Sequence, residues 1–408
     1  MPQKIAVDLG KLAASPALYP KESMMAVEER RKSLSIGIPK ESSFQENRIG
    51  LTPDAVKQLT DYGHRIRIEA GAGGPSKYSD NEYSEAGAKI VYSPEEVYEA
   101  DIILKIAPPT YDEIEYLRPG QTLISALHFG NLTSDFINAL MRKKINAISF
   151  ELLRDKSESK PVVRAMSEIA GSTVMLIAAE YLSSSNEGKG VILGGITGVP
   201  PSKVVILGAG TVAEYAARAA LGLGAEVKVF DNHIYKLRRL KHNIGLPLFT
   251  STLDKAVLYP EIRQADVVIG ALVADEGYMP CMVEENVVAH MNPGSVIIDV
   301  CIDQGGCFET SEMTSHSRPV FRKYDIVHYC VPNIASRVPR TATQALSNIF
   351  TPIFNEFSKY GGINEVLFMN EHYRSGVYIY KGSLTNAQVA KKFGMRYKEL
   401  GLMIAVRN

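Results

Sequence analysis

KVVILGAGTVAEYAARAALGLGAEVKVFD, residues 203–231, alternates a short apolar run, a glycine turn, a small-residue helix and a second strand that ends on an acid. The run KVVIL, from Lys203 to Leu207, is brief and rich in Val and Ile, which predicts a buried strand. In the turn GAGTVA, Gly208 permits the tight reversal and Gly210 lets a pyrophosphate approach the backbone. Ala213 supplies the small third position at which helix and strand pack closely. The amides of the helix N-terminus then face the phosphates. Asp231 closes the second strand roughly 20 residues after the turn, as a ribose-binding carboxylate requires. A carboxylate there accepts both ribose hydroxyls and repels a 2′-phosphate, so NAD is expected over NADP, with Lys236, Arg238 and Arg239 as the neighbouring cations. A glycine turn alone is a weak signal. With a strand before it, a helix after it, a second strand and a terminal acid, it specifies a dinucleotide-binding βαβ unit, and hence an expected nicotinamide-dependent oxidoreductase.

Outward from this unit the same rhythm repeats. Upstream, LSIGIP, RIRIEAG, AKIVY, DIILKIA, TLISALH and INAISFEL read as strands between helices such as TPDAVKQLTDYG, which has Thr52 as N-cap and Pro53 at its first position. Downstream, AEVKVFD, ADVVIGAL, GSVIIDVCID and IVHYCV continue the series. Such alternation predicts mainly parallel sheets covered by helices on both faces. The chain of 408 residues exceeds one ordinary core, because single cores stop growing at roughly 250 to 300 residues. The expected architecture is therefore α/β, with two Rossmann-like doubly wound parallel-sheet domains and a cleft between them. The expected boundaries are an N-terminal extension over residues 1–34, with an amphipathic helical stretch, a substrate domain over 35–163 plus 341–408, and a nucleotide domain over 164–340. A long helix is expected from Ser167, and the tail is expected to hold one long helix and then short ones.

Lys plus Arg and Asp plus Glu both number 45, and no half of the chain is visibly basic or acidic. That balance points away from nucleic-acid or membrane-surface partners. The N-terminus has no apolar core of signal-peptide length, and a cytoplasmic enzyme is expected. Cys281, Cys301, Cys307 and Cys330 lack the close paired spacing of a zinc site or a disulfide framework, so buried reduced thiols are expected and no metal.

The segments GIPKES…ENRIGLTP, GHRIRIEAGAG, ADIILKI, MSEIAG, the glycine unit and NPGSVIIDVCIDQGGCFE, in that order, make residues 34–340 resemble the alanine dehydrogenase and pyridine nucleotide transhydrogenase superfamily. His128 and IDQGGCFE, residues 302–309, are similar to the alanine dehydrogenase branch, because the transhydrogenase subunits lack that histidine. The resemblance implies reversible oxidative deamination of L-alanine to pyruvate and ammonia with NAD as hydride acceptor, in a homo-oligomer, commonly a hexamer. It implies Arg48 as the group that docks the substrate carboxylate, a planar cation suited to bidentate pairing; a surface ion pair is the ordinary alternative. It implies His128 as a proton-shuttling catalytic residue, beside the alternative of a structural histidine. Asp303, on a glycine loop, would handle protons on water or ammonia, with turn capping as its alternative and Asp299 as a structural carboxylate. Ser167, Lys236, Gln304 and Asn333 match cofactor contacts, although Ser167 reads equally as a helix N-cap and Asn333 as a turn residue.

One position departs from the pattern. Alanine dehydrogenases read lysine, any residue, lysine, acid, proline after the fourth strand, where this chain reads Lys105, Ile106, Ala107, Pro108, Pro109. Ala107 replaces the substrate-contacting lysine. Lys105, two residues back on the same strand face, is the cation left to serve the cleft. The alternatives to alanine turnover are a dehydrogenase of the same fold for another 2-oxo or amino acid, and a nucleotide-binding relative without turnover.

Overall fold

The computed structural model describes residues 31–43, 45–127, 130, 132–273 and 281–405. The amphipathic stretch expected near the N-terminus lies almost wholly outside them. The first strands are β1 (Ser35–Ile38), β2 (Arg65–Glu69), β3 (Lys89–Val91), β4 (Ile102–Leu104), β5 (Thr122–Ser125) and β6 (Asn146–Ser149). A second series follows: β7 (Lys203–Leu207), β8 (Glu226–Phe230), β9 (Phe249–Ser251), β10 (Val267–Gly270), β11 (Val296–Asp299), β12 (Val320–Lys323) and β13 (Ile326–Tyr329), and the chain returns with β14 (Val377–Tyr380) and β15 (Ser383–Leu384).

Both sheets are doubly wound. The first runs β15-β14-β6-β5-β4-β1-β2-β3 and the second β12-β13-β11-β10-β7-β8-β9. Within each, the six parallel strands follow the order 3-2-1-4-5-6, in which the winding reverses beside the first strand. The reversal falls between β1 and β4 in one sheet and between β7 and β10 in the other. The expected pair of Rossmann-like domains is what the chain forms.

Each sheet buries both faces because neighbouring residues on a strand point opposite ways. Ile102 and Leu104 join Leu346, Phe350 and Phe354 of the helix Pro339–Lys359, whereas Ile103 joins Ile137 and Leu140 on the other side. In the second sheet Val204 and Ile206 pack with Val174, Ala178 and Ala213, and Val205 and Leu207 with Leu258 and Ile262.

Two expectations need correction. The tail is not helical throughout: β14 adds antiparallel to β6 at the edge of the first sheet, and β15 folds back on it. Lys381 and Gly382 form its two-residue turn with φ of 47° and 76°, the positive values that a tight hairpin demands. β12 and β13 form a second such hairpin around Tyr324 and Asp325, with φ of 56° and 60°. The long helix expected from Ser167 begins at Pro161, the first-turn proline fixing φ where no amide partner is needed, so Ser167 lies well inside it and is not its cap. By length and composition this helix could cross a membrane, but it packs on the helix Thr211–Gly222, where a Cβ on Gly171 would stand 2.4 Å from the Val212 carbonyl oxygen.

Candidate dinucleotide and substrate site

In the second sheet the glycine turn sits at the winding reversal. Gly208 has φ 111°, and a Cβ there would lie 2.4 Å from the Ala271 carbonyl oxygen, at the end of β10. Only glycine combines that conformation with that approach. Gly210 caps the helix Thr211–Gly222 with φ −82°, and its Cβ would meet nothing within 4 Å among the described residues, leaving a cradle before the first-turn amides. Ala213 is fully buried. Asp231 is itself 3% exposed and braces the turn: one oxygen accepts from the Ala209 amide at 2.8 Å, the other from the His233 amide at 2.7 Å and from its ring at 3.0 Å. Arg239 donates to the Ala209 carbonyl. Lys236 is half-buried in the next helix, Ile234–Ile244. A dinucleotide fits this set, since the open cradle, the helix N-terminus and the acid stand where pyrophosphate and ribose would need them.

In the first sheet the reversal is closed by a carboxylate that sequence reasoning missed. Glu41, just past β1, accepts from the amides of Ile106 and Ala107 and from the Lys105 ammonium at 2.8 Å. Lys105 also pairs with Glu113 at 3.2 Å, and its side chain is 0% exposed. Burial raises the Glu41 pKa, and Lys105 offsets this only in part. Lys105 thus faces two internal carboxylates and does not take over the role of the missing lysine, while Ala107 is 6% exposed and brings no charge.

Arg48 is neither free nor in a surface ion pair. Its Nε and Nη2 bind the two oxygens of Glu46 at 2.8 and 2.6 Å, and its Nη1 lies 3.3 Å from the Met166 sulfur. Glu46 also accepts from Asn333 Nδ2 at 2.8 Å, across to the second half of the molecule. Burial pushes the Glu46 carboxyl up, but the charge and hydrogen bonds of Arg48, with Asn333, outweigh it and hold the carboxyl below its ordinary range. Around this pair Ser336 donates to the Gln45 carbonyl and accepts from the Asn47 amide, and the His316 amide donates to Gln45. The structure therefore joins Arg48 to Asn333, a residue in the left-handed conformation with φ 59°.

Asp303 and Gln304 lie in a single turn, Ile302–Gln304, directly after β11, with Gly305 and Gly306 at positive φ behind them. Beneath this loop Asp299 is fully buried and acts as its anchor: Cys307 N and Ser311 Oγ donate to one oxygen at 2.8 and 2.6 Å, and Cys301 N and Sγ to the other. Cys301 and Cys307 sulfurs stand 2.8 Å apart, which with burial pushes the Cys301 thiol up; burial takes Cys330 to about 12. Cys281 is exposed, contrary to the expectation of four buried thiols. His128 lies outside the described residues.

Two doubly wound sheets, one with a glycine turn at its reversal and an acid at the next strand end, define a two-domain α/β protein of the nucleotide-binding class. Residues 37–170 match the alanine dehydrogenase/PNT N-terminal domain and residues 174–387 its C-terminal domain. The chain is 38% identical over 368 residues to alanine dehydrogenase 2 of Staphylococcus aureus strain Mu50, covering 90% of this chain and 98% of that one. It superposes on a solved L-alanine dehydrogenase with TM-score 0.82 and 35% identity, covering 87% and 98% of the two chains. A transhydrogenase from Sinorhizobium meliloti shares the fold, at TM-score 0.74 and 24% identity over 86% of this chain and 99% of that one. The chain belongs to the alanine dehydrogenase/PNT family.

Proposed function

We propose that this protein catalyses the reversible oxidative deamination of L-alanine to pyruvate and ammonia, with NAD as its nucleotide. The observation that carries the reading is the clasp in which Glu46 binds Arg48 of the substrate side and Asn333 of the nucleotide side. A guanidinium held beside the dinucleotide half supports the reading of Arg48 as the group that docks the substrate carboxylate. In this reading residues 35–163 with 341–408 form the substrate domain and 164–340 the nucleotide domain.

NAD bound at the glycine turn supplies the hydride acceptor. Gly208, Gly210 and Ala213 shape the pyrophosphate cradle and Asp231 takes the ribose hydroxyls, while Ser167, Lys236, Gln304 and Asn333 line the remaining contacts. Asp231 already has three donors, which leaves about one acceptor site for a ribose hydroxyl, and a second hydroxyl would have to compete with the His233 ring. Arg48 docks the substrate carboxylate. His128 holds and releases the proton at the substrate oxygen, and Asp303 moves protons on water or ammonia as the carbinolamine forms and collapses. The enzyme acts in the cytoplasm as a homo-oligomer, in keeping with the family resemblance.

Ala107 favours a second reading, in which the same fold acts on another 2-oxo or amino acid. Mixing the protein with NADH, ammonium and pyruvate, glyoxylate or larger 2-oxo acids, and following nicotinamide absorbance, separates the two. Oxidation with pyruvate above the rest supports the first, and preference for another acid supports the second. No oxidation with any acid, beside measured NADH binding, rejects both.

A further inference from the structure

We infer that Glu46 is the positioning residue for the substrate carboxylate: it grips one edge of the Arg48 guanidinium and presents the other edge to the ligand. This deepens the reading above and rests on it. A guanidinium has five N–H donors in a planar fork. Glu46 takes the Nε–Nη2 edge at 2.8 and 2.6 Å, the bidentate geometry of a strong charge-assisted pair. On the Nη1–Nη2 edge, the hydrogen bond recorded among the described residues is to the Met166 thioether, a weak acceptor. That edge keeps the donors a second carboxylate needs.

The pair is built to persist. Glu46 has a side chain 5% exposed and Arg48 one 11% exposed, and a buried carboxylate stays ionised only with partners of this quality. Asn333 Nδ2, the Arg48 amide and, at 3.4 Å, Ser336 Oγ add to its donors. A substrate carboxylate therefore adds to the arginine without displacing Glu46. Because Asn333 comes from the nucleotide half, the same carboxylate fixes the arginine relative to the nucleotide turn.

The test is Glu46→Gln in the full-length protein, with Glu46→Asp beside it. Gln keeps the shape but loses the charge and turns one oxygen into a donor that repels the fork; Asp keeps the charge and pulls the fork back by one methylene. KM for the preferred 2-oxo acid, kcat at saturation, and NADH affinity by fluorescence are measured for each. Positioning predicts a KM raised about tenfold or more, with kcat and NADH affinity each within a few-fold of wild type, and Asp intermediate between Gln and wild type. A lowered KM would mean that Glu46 competes for Arg48 as a stand-in carboxylate, and would overturn the inference. So would an unchanged KM in whichever variant folds to the wild-type melting temperature. Failure of the wild-type protein to turn over any 2-oxo acid strikes the proposed function instead, before either variant is read.

Discussion

The Lys105 ammonium stands 2.8 Å from Glu41 and is sealed from solvent at the reversal point of the first sheet. That distance decides what Ala107 means. Had Lys105 reached into the cleft, it could have stood in for the lysine that the family carries two positions on. Glu41 and Glu113 hold it, and Glu41 also takes the Ile106 and Ala107 amides, so the strand exit is rigid and position 107 is electrically bare.

Ala107→Lys restores a cation at that exit. If the enzyme works on alanine and pyruvate, one added charge-assisted contact, worth roughly 1.5 to 3 kcal/mol, raises kcat/KM for pyruvate about tenfold to a hundredfold. Steady-state kinetics with NADH and ammonium check it. Unchanged kinetics would mean a cleft rebuilt around other groups, in line with a different natural acid.

Lys105→Met leaves the buried Glu41 carboxylate, and the half-buried Glu113 beside it, without their shared cation. Breaking a buried pair from one side costs about 3 to 5 kcal/mol, and the loss should appear in the midpoint of chemical denaturation at neutral pH. Glu41 already has its pKa raised by burial, and without Lys105 it rises further. Its protonation then relieves the variant as pH falls, so the gap to wild type narrows in mild acid. A gap that stays constant with pH would refute the role given to Glu41.

Gly208 and Gly210 separate folding from binding. A methyl on Gly208 meets the Ala271 carbonyl at 2.4 Å from a φ of 111°, and neither backbone can yield cheaply. Gly208→Ala should lose several degrees of melting temperature together with NADH binding. A methyl on Gly210 meets nothing within 4 Å among the described residues, so Gly210→Ala should melt like wild type yet bind NADH at least several-fold more weakly, because it fills the cradle. Equal melting losses in both would contradict this division of labour.

These glycines were legible because a βαβ unit writes its requirements within one short stretch. The strands of both parallel series were legible for the same reason, except β9, whose three residues Phe249–Ser251 are too few to show a pattern. Glu46 was not: it meets Asn333 across 287 residues of sequence, and an acid in a loop carries no periodicity to announce it. Glu41 likewise meets Lys105 across 64 residues. The strand β14 had a local signal, VYIY before the two-residue Lys381-Gly382 turn, overshadowed by the helical stretches beside it. Pro161 similarly marked the start of its helix ahead of Ser167. Long-range polar pairing is what the sequence hides; local hairpin and cap chemistry it shows to a closer look.

His128→Ala tests the proposed proton shuttle. Turnover should fall by a factor of about a hundred or more, the scale of general acid–base catalysis, while NADH binding by fluorescence stays at the wild-type level. Retained turnover would remove the role assigned to His128.

His328 gives the fold its own acid sensitivity. It is fully buried on β13, its Nδ1 against the Ile326 carbonyl at 3.1 Å and its Nε2 against Thr310 Oγ1 at 2.8 Å, with the Phe321 ring stacked at 4.8 Å. That pattern suits the neutral ring with its proton on Nδ1, and burial takes the pKa from 6.5 down to about 4. A folded-state value below the unfolded one means that the unfolded chain binds the proton first. The stabilisation is therefore complete above about pH 6.5 and drains away as pH falls towards 4, by at most roughly 3 kcal/mol. His328→Asn, which cannot titrate, should lose less stability than wild type between pH 7.5 and pH 5, whatever its starting value. Unfolding free energies from urea titrations at the two pH values give the comparison, and an equal acid loss in both proteins would place the sensitivity elsewhere.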